Sequence, residues 1–425
     1  MIRKIAEIVA KSGADAWEIT DIKTTGWEFY FIGHRLDQNR AKDIENITLK
    51  VYKKSENGET IGMASAVIAP TESGEAVRKI AEDLVFKASL VQNKPFSLNR
   101  PAAYEKTRPE ITPLADDAAA FLHALRSLDE TETEDLNSYE IFVNRNCRHL
   151  LTSEGIDITE EYPTATLDVV INARKDTREI ELFRLLSFGS CDADLLKNDL
   201  NQLLRFGRDR LRAVPTPNLG TAAIVLSTDA ALSVYGYFLD NLNAAYLVRG
   251  VSRFEIGKPI AEAFEGDRVT LESRRILPGS PCNFACDAEG APVRDAFLIK
   301  DGVPEKFVGN RMFSQYLGLD DSFSVTNYRV SGGTKTAEEI REGEFLEIVE
   351  FSDFQVDSMT GDIFGEIRLA YYHDGKGDVY PVSGGSVSGS LLDNLGHMYM
   401  TRETRCFENA EIPCATRLSK VMIAG

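Results

Sequence analysis

A chain of 425 residues, 43% hydrophobic and 27% charged, has room for two or three domains with sizeable cores. Its 66 acidic against 48 basic residues leave a formal charge of −18, which repels phosphate, and no local basic patch offsets it, so direct nucleic-acid binding is excluded. No run reaches the length of a transmembrane helix, and six Cys in a chain this long do not make a disulfide framework, so no membrane span and a reduced, cytoplasmic setting are expected.

The N-terminal MIRKIAEIVAKSGADAWEI carries charges through its apolar positions and predicts a short amphipathic helix, not a secretory signal. Ile2, Ile5, Ile8 and Val9 share its buried face, and Gly13 stops it. Strand-like segments follow at 27–32, 47–52 and 60–68, the last two joined by the turn residues Ser55 to Gly58. Residues 72–91 then read as a long helix with Val77, Ile80, Ala81, Leu84 and Ala88 inward. Pro95, Pro101, Pro109 and Pro113 mark a linker over 94–112.

The same order recurs after it. Thr112-Pro113 predicts a cap followed by proline at the first helical position, with Leu114, Ala118, Phe121, Leu122 and Leu125 on the apolar face. Strands are expected at 138–144, 148–153, 165–173 and 179–187, and a second long helix over 194–214 carries Leu196, Leu200, Leu203, Leu204 and Leu211. The pattern suggests that 113–214 duplicates the structure of 1–92, although the residues themselves do not repeat.

Residues 215–425 read as one β-rich domain that opens with a strand feeding a helix. The apolar run 222–226 suits a buried strand. Thr228 then offers a helix cap, Asp229 a first-turn carboxylate, and Leu232, Tyr235, Leu239, Leu242 and Tyr246 an apolar face. Further strands are expected at 268–272, 296–300, 346–351 and 365–372, and VYPVSGGSVSGSLLDNLGHM reads as strand, Gly/Ser loop and short helix. The fold class is α+β, with domains at 1–93, 113–214 and 215–425.

Self-sufficient chemistry is missing. His34, His123, His149, His373 and His397 have no ligand-like spacing, and structural roles are expected, His123 partly buried and His373 solvated. Cys282 with Cys286, and Cys406 with Cys414, match no zinc knuckle. Gly384-Gly385-Ser386-Val387-Ser388-Gly389 could hold an anion ahead of a helix but lacks a following Lys, so a glycine turn is the better reading. Asp320-Asp321 and Glu160-Glu161 read as charge runs, not catalytic pairs.

The chain resembles the TldD/PmbA family, described as modulators of DNA gyrase and as two-subunit zinc metalloproteases. In the N-terminal third the resemblance rests on Arg40, the strand 47–52, and Gly58 with Gly62. It is more specific later, in the turn Asp287-Ala288-Glu289-Gly290-Ala291-Pro292, in Ser331-Gly332-Gly333-Thr334, in Gly361 to Gly365 and in YPVSGGSVSGSLLDNL. The family's catalytic subunit carries H-E-x-x-x-H on the helix of the opening stretch. Aligned on Gly236 and Leu239-Asp240, Leu232 and Tyr237 stand where the two His would be and Ser233 where the Glu would be. Cys406 takes the place of a C-terminal Cys ligand. Leucine cannot ligate zinc, and serine cannot take a proton from metal-bound water.

The resemblance therefore implies a PmbA/TldE-like subunit with no catalytic residue and no cofactor of its own. It would pair with a TldD-like protease that holds the zinc and bind unfolded peptide as an added strand, as a homo- or heterodimer. Two alternatives stay open: a stand-alone metallopeptidase using Cys282, Cys286 and Cys406, and a homodimeric peptide-binding module.

Overall fold

The computed structural model describes residues 1–105 and 111–425, so Pro109 of the expected linker lies outside the described residues. The N-terminal half runs α1 (Ile2–Val9), β1 (Ala16–Ile32), β2 (Arg35–Lys54), β3 (Ile61–Ile68), α2 (Gly74–Ser89), then α3 (Leu114–Arg126), β4 (Glu134–Thr152), β5 (Asp157–Lys175), β6 (Arg178–Phe188), α4 (Ala193–Arg212). Each region is thus helix, three strands, helix. The caps of the long helices correspond: Ser73 accepts from Ala76 N, and Asp192 from Leu195 N. At α3 the expected cap fails; Pro113 precedes the helix, and the Thr112 hydroxyl bonds Asp117 instead.

The two regions share one six-stranded sheet in the order β3-β2-β1-β4-β5-β6, with β1 and β4 antiparallel at its centre. An antiparallel pairing of two like units is a two-fold normal to the sheet, so all four helices lie on one face. Alternation confirms it: Ile19 packs under α1 and α2, is paired with Leu151, and lies on the same face of the sheet as Ile141 and Val143 under α3 and α4. The strands are far longer than expected. Most of β2 from Arg35 to Glu45 is exposed on both faces, so no apolar alternation betrays it.

The C-terminal half contains β7 (Val214–Pro215), β8 (Gly220–Leu226), α5 (Ala231–Asn241), α6 (Ala244–Val248), β9 (Leu271–Arg274), β10 (Ala296–Lys300), β11 (Val303–Pro304), α7 (Arg311–Tyr316) and β12 (Asn327–Val330). It continues with β13 (Glu344–Val356), β14 (Asp362–Asp374), β15 (Val379–Ser383), β16 (Ser386–Ser390), β17 (Tyr399–Met400), β18 (Thr404–Phe407), β19 (Ala410–Pro413) and β20 (Thr416–Ala424). Strands β13-β8-β20-β16-β14 form a ring, closed by pairing of β13 with β14. A second sheet runs β11-β10-β9-β12-β19-β18, and α5 shares one apolar core with both. The Gly/Ser segment corrects the expectation. Gly384 and Gly385 both take positive φ (87° and 77°) to turn β15 into strand β16, and 391–397 is a series of turns, not a helix.

The halves are joined by a buried polar knot. Asp287, 3% exposed, accepts from Glu289 N and Ala291 N through Oδ1 and from Ser324 N through Oδ2, each at 2.9 Å. Gly290 (φ 80°) brings this turn onto the N-terminal sheet, where a Cβ would lie 2.6 Å from Ile156 Cδ1. Arg148 of β4 is paired with Glu160 of β5 and donates to Cys286 O at 2.7 Å. Asn99 and Tyr104 donate to Glu289 O and Gly290 O at 3.0 Å, so the segment after α2 straps the turn down. Glu160 of the expected charge run is accordingly buried; Glu161 is exposed.

Asp287→Ala would strand three backbone N–H groups that the carboxylate now satisfies. Denaturant unfolding should show a loss of about 3 kcal/mol, at the upper end for a buried polar deletion. A loss of less than about 1 kcal/mol would mean that this turn does not hold the junction.

Candidate functional site

The strand–helix start of the C-terminal half borders a cleft of about 870 Å³. One wall is β6 and α4, with Leu186, Leu196, Leu203 and Phe206; the other is Leu232 at the start of α5 with Cys406 and Phe407 of β18. Polar groups sit around its rim. Arg405 Nη2 meets Asp199 Oδ2 at 2.9 Å across the cleft, tying β18 to α4. Arg184 pairs with Glu350 of β13 at the entrance to a smaller adjoining cleft of about 270 Å³, which Ser233 lines.

β6 is also the edge of its sheet: β5 pairs one side and, among the described residues, no strand pairs the other. Phe183 and Leu185 stand 55% and 54% exposed on it, an apolar pair beside unpaired main-chain groups. Sequence spacing could not assemble this wall, because residues 184, 199, 232 and 405 come from four distant segments. The one available signal was the strand–long helix order at 179–214, which marks the end of a sheet unit.

Helix α5 differs from its expected form. It begins at Ala231 without a side-chain cap; the Thr228 hydroxyl has no partner, and Asp229 precedes the helix and accepts Leu232 N through its carbonyl. The buried face is Ala231, Val234, Tyr235, Tyr237 and Phe238, while Leu232 and Leu239 lie at the margin of the core. The three positions compared with His-Glu-His therefore diverge: Leu232 faces the large cleft, Ser233 the small one, and Tyr237 is fully buried against Phe238 and Phe254. Burial pushes the Tyr237 phenol up to about 12.

Cys406 shares the large cleft with Leu232. Desolvation and the Glu411 carboxylate opposite it push its thiol up, against the thiolate that a metal requires. Cys286 is buried beside Arg148 and Glu160 at the junction, so Cys282, Cys286 and Cys406 form no common site. Among the described residues no group of three or more His, Cys, Asp or Glu is placed to hold a metal ion. The residues at the family's zinc position do not fit the ion.

The histidines are all placed elsewhere. His34 and His149 contact Glu130 and Asp157 at 2.5 and 2.7 Å, and His397 contacts Glu265 at 3.0 Å. His123 is exposed rather than partly buried. His373 is not a solvated turn residue: it lies in β14, stacked on Phe345 at 4.1 Å and 3.7 Å from Glu347.

Glu347 steadies the floor of the site. It accepts from Ser227, where β8 ends at the cleft, at 2.7 Å and from Arg341 at 2.6 and 2.9 Å. Burial alone would raise its carboxyl, but these hydrogen bonds, with His373 nearby, hold it at about 2. A depressed folded-state pKa supplies stability above the unfolded value near 4.5 that is lost as pH falls toward 2. Unfolding free energies across that window should therefore drop by about 3 kcal/mol more in the natural chain than in Glu347→Gln. Parallel pH profiles would show that Glu347 is not so held.

Residues 219–425 match the family model described as the PmbA/TldA metallopeptidase C-terminal domain. No curated protein matches the chain. Among solved structures, TldE from Thermococcus kodakarensis is similar with a TM-score of 0.79 at 17% identity, covering 100% of both chains. A Thermotoga maritima protein described as a candidate modulator of a DNA gyrase gives 0.79 at 14% identity, again over 100% of both. A Bacteroides thetaiotaomicron protein described likewise gives 0.79 at 15% identity, over 100% of this chain and 98% of that one. At these identities the structures show a shared fold, end to end. Residues 219–425, carried on that fold, thus form a domain of the PmbA/TldA metallopeptidase C-terminal type.

Proposed function

We propose that this chain is the non-catalytic, peptide-binding subunit of a TldD/TldE-type zinc metalloprotease. The observation that carries the reading is the side-chain set at the start of α5: a leucine at the large cleft, a serine turned to the small one and a tyrosine in the core. A carboxylate base and two imidazoles are what metal-assisted hydrolysis needs, and none stands there. The likeness to a protein named TldE points the same way.

The zinc belongs in this reading to a TldD-like partner, and the present chain supplies binding surface. An unfolded peptide would lie along the free edge of β6 and bond through its main chain, with alternate side chains entering the cleft. Such binding needs no fixed sequence, which suits degradation of unfolded segments. Action on gyrase would be indirect, through peptides that inhibit it, as the acidic charge favours. No helix among the described residues is long and apolar enough to cross a membrane, and all six Cys are free, in keeping with a cytoplasmic complex.

A casein-cleavage assay tests the assignment. The chain alone should be inactive, a mixture with a TldD-like subunit active, and a chelator should abolish the activity of the mixture. Cleavage by the chain alone at the rate of the mixture would overturn it.

A further inference from the structure

The ion pair across the large cleft and the one at the smaller cleft beside it leave the large cleft's charge strongly one-sided. Five carboxylates line it (Asp192, Asp199, Asp229, Glu408 and Glu411) against only two guanidiniums, Arg184 and Arg405. Both guanidiniums are already held, Arg184 by Glu350 and Arg405 by Asp199. Glu411 contacts Arg329 at 3.4 Å, and Asp192 caps α4. Asp229 and Glu408 are exposed and, among the described residues, form no ion pair. Asp229 is within electrostatic reach of Arg184, whose guanidinium stays with Glu350.

Between these carboxylates the cleft is mainly carbon, from Leu186, Leu196, Leu203, Phe206 and Leu232. About 870 Å³ is far more than one aliphatic side chain fills. It therefore offers an apolar well within a ring of negative charge, beside an unpaired strand edge. A low-dielectric wall strengthens the attraction of such carboxylates for a nearby cation.

We infer that the cleft selects extended peptide segments in which bulky apolar residues are flanked by Lys or Arg. One side chain of an adjacent apolar pair would enter the well while a basic flank on the same face meets Asp229 or Glu408. The inference rests on the peptide-binding reading above and adds a preference to it. Acidic unfolded segments would be turned away by like charge at the rim.

Fluorescence anisotropy with the full chain tests this, using three labelled peptides of equal length. The first has Leu-Phe flanked by Lys, the second Leu-Phe flanked by Glu, and the third Ala-Ala flanked by Lys. At low salt the first should bind at least about tenfold more tightly than either other, a margin of one decade in Kd. Its margin over the Glu-flanked peptide should shrink in high salt, which screens exposed charges. The double variant Asp229→Asn, Glu408→Gln, with its folding checked by thermal melting, should narrow the same margin and bind the Glu-flanked peptide more tightly. Equal binding of Lys- and Glu-flanked peptides overturns the preference and leaves the peptide-binding role standing. Binding of none of them overturns both.

Discussion

The contact on which the molecule depends is the buried meeting of Arg148, Glu160 and the turn at Asp287. The two walls of the cleft belong to different halves of the chain, so its width is set wherever those halves lock. An ion pair at this depth carries a large desolvation penalty, offset by the further hydrogen bonds its members make. Here Arg148 reaches the Cys286 carbonyl, Phe284 lies under its guanidinium at 5.0 Å, and Asp287 accepts from two N–H groups of the turn and from Ser324 N, while Arg148 Nε keeps no partner among the described residues. The turn that carries the family resemblance thus serves as a geometric key between domains, not as part of a chemical centre.

From there the architecture places chemistry and its absence. The five-stranded ring and α5 are a rigid support, and a support of this kind can hold any side chain at the cleft mouth. What stands there decides the role: a leucine makes the cleft greasy and offers no ligand atom. The side chains at the cleft can vary without disturbing that support, because the core of α5 is built from Val234, Tyr235 and Phe238.

Much of the fold was legible in the residues, and the failures have identifiable physical causes. Helices α2 and α4 announced themselves because one face is buried and the other solvated, and the repeated order of parts followed from them. Strand β2 was cut short in the reading because its first half is open to solvent and carries polar residues on successive positions, and β4 because polar residues such as Asn144, Arg145 and Asn146 interrupt its apolar run although none of its positions is exposed. The face of α5 was misjudged because a helix buried on several sides is apolar nearly all round, which flattens its periodicity. His373 looked solvated from its Gly- and Asp-rich neighbours, but stacking on Phe345 overrides that local composition. The cleft itself was illegible, since no local pattern records that residues 199 and 405 will face each other.

The duplicated unit gives the sheet two ends built by one plan, and the chain treats them differently. After α2 it doubles back, and Asn93 exchanges hydrogen bonds with Ile61 at 3.0 and 3.1 Å, stitching the start of β3. After α4 it departs instead, and Val214 and Pro215 pair with β15, which is joined to β14 of the C-terminal ring. One border is pinned at a single corner by its own connector, while the thread beyond the other is drawn off to a different sheet. The asymmetry of two like units is thus written into the segment that leaves each long helix.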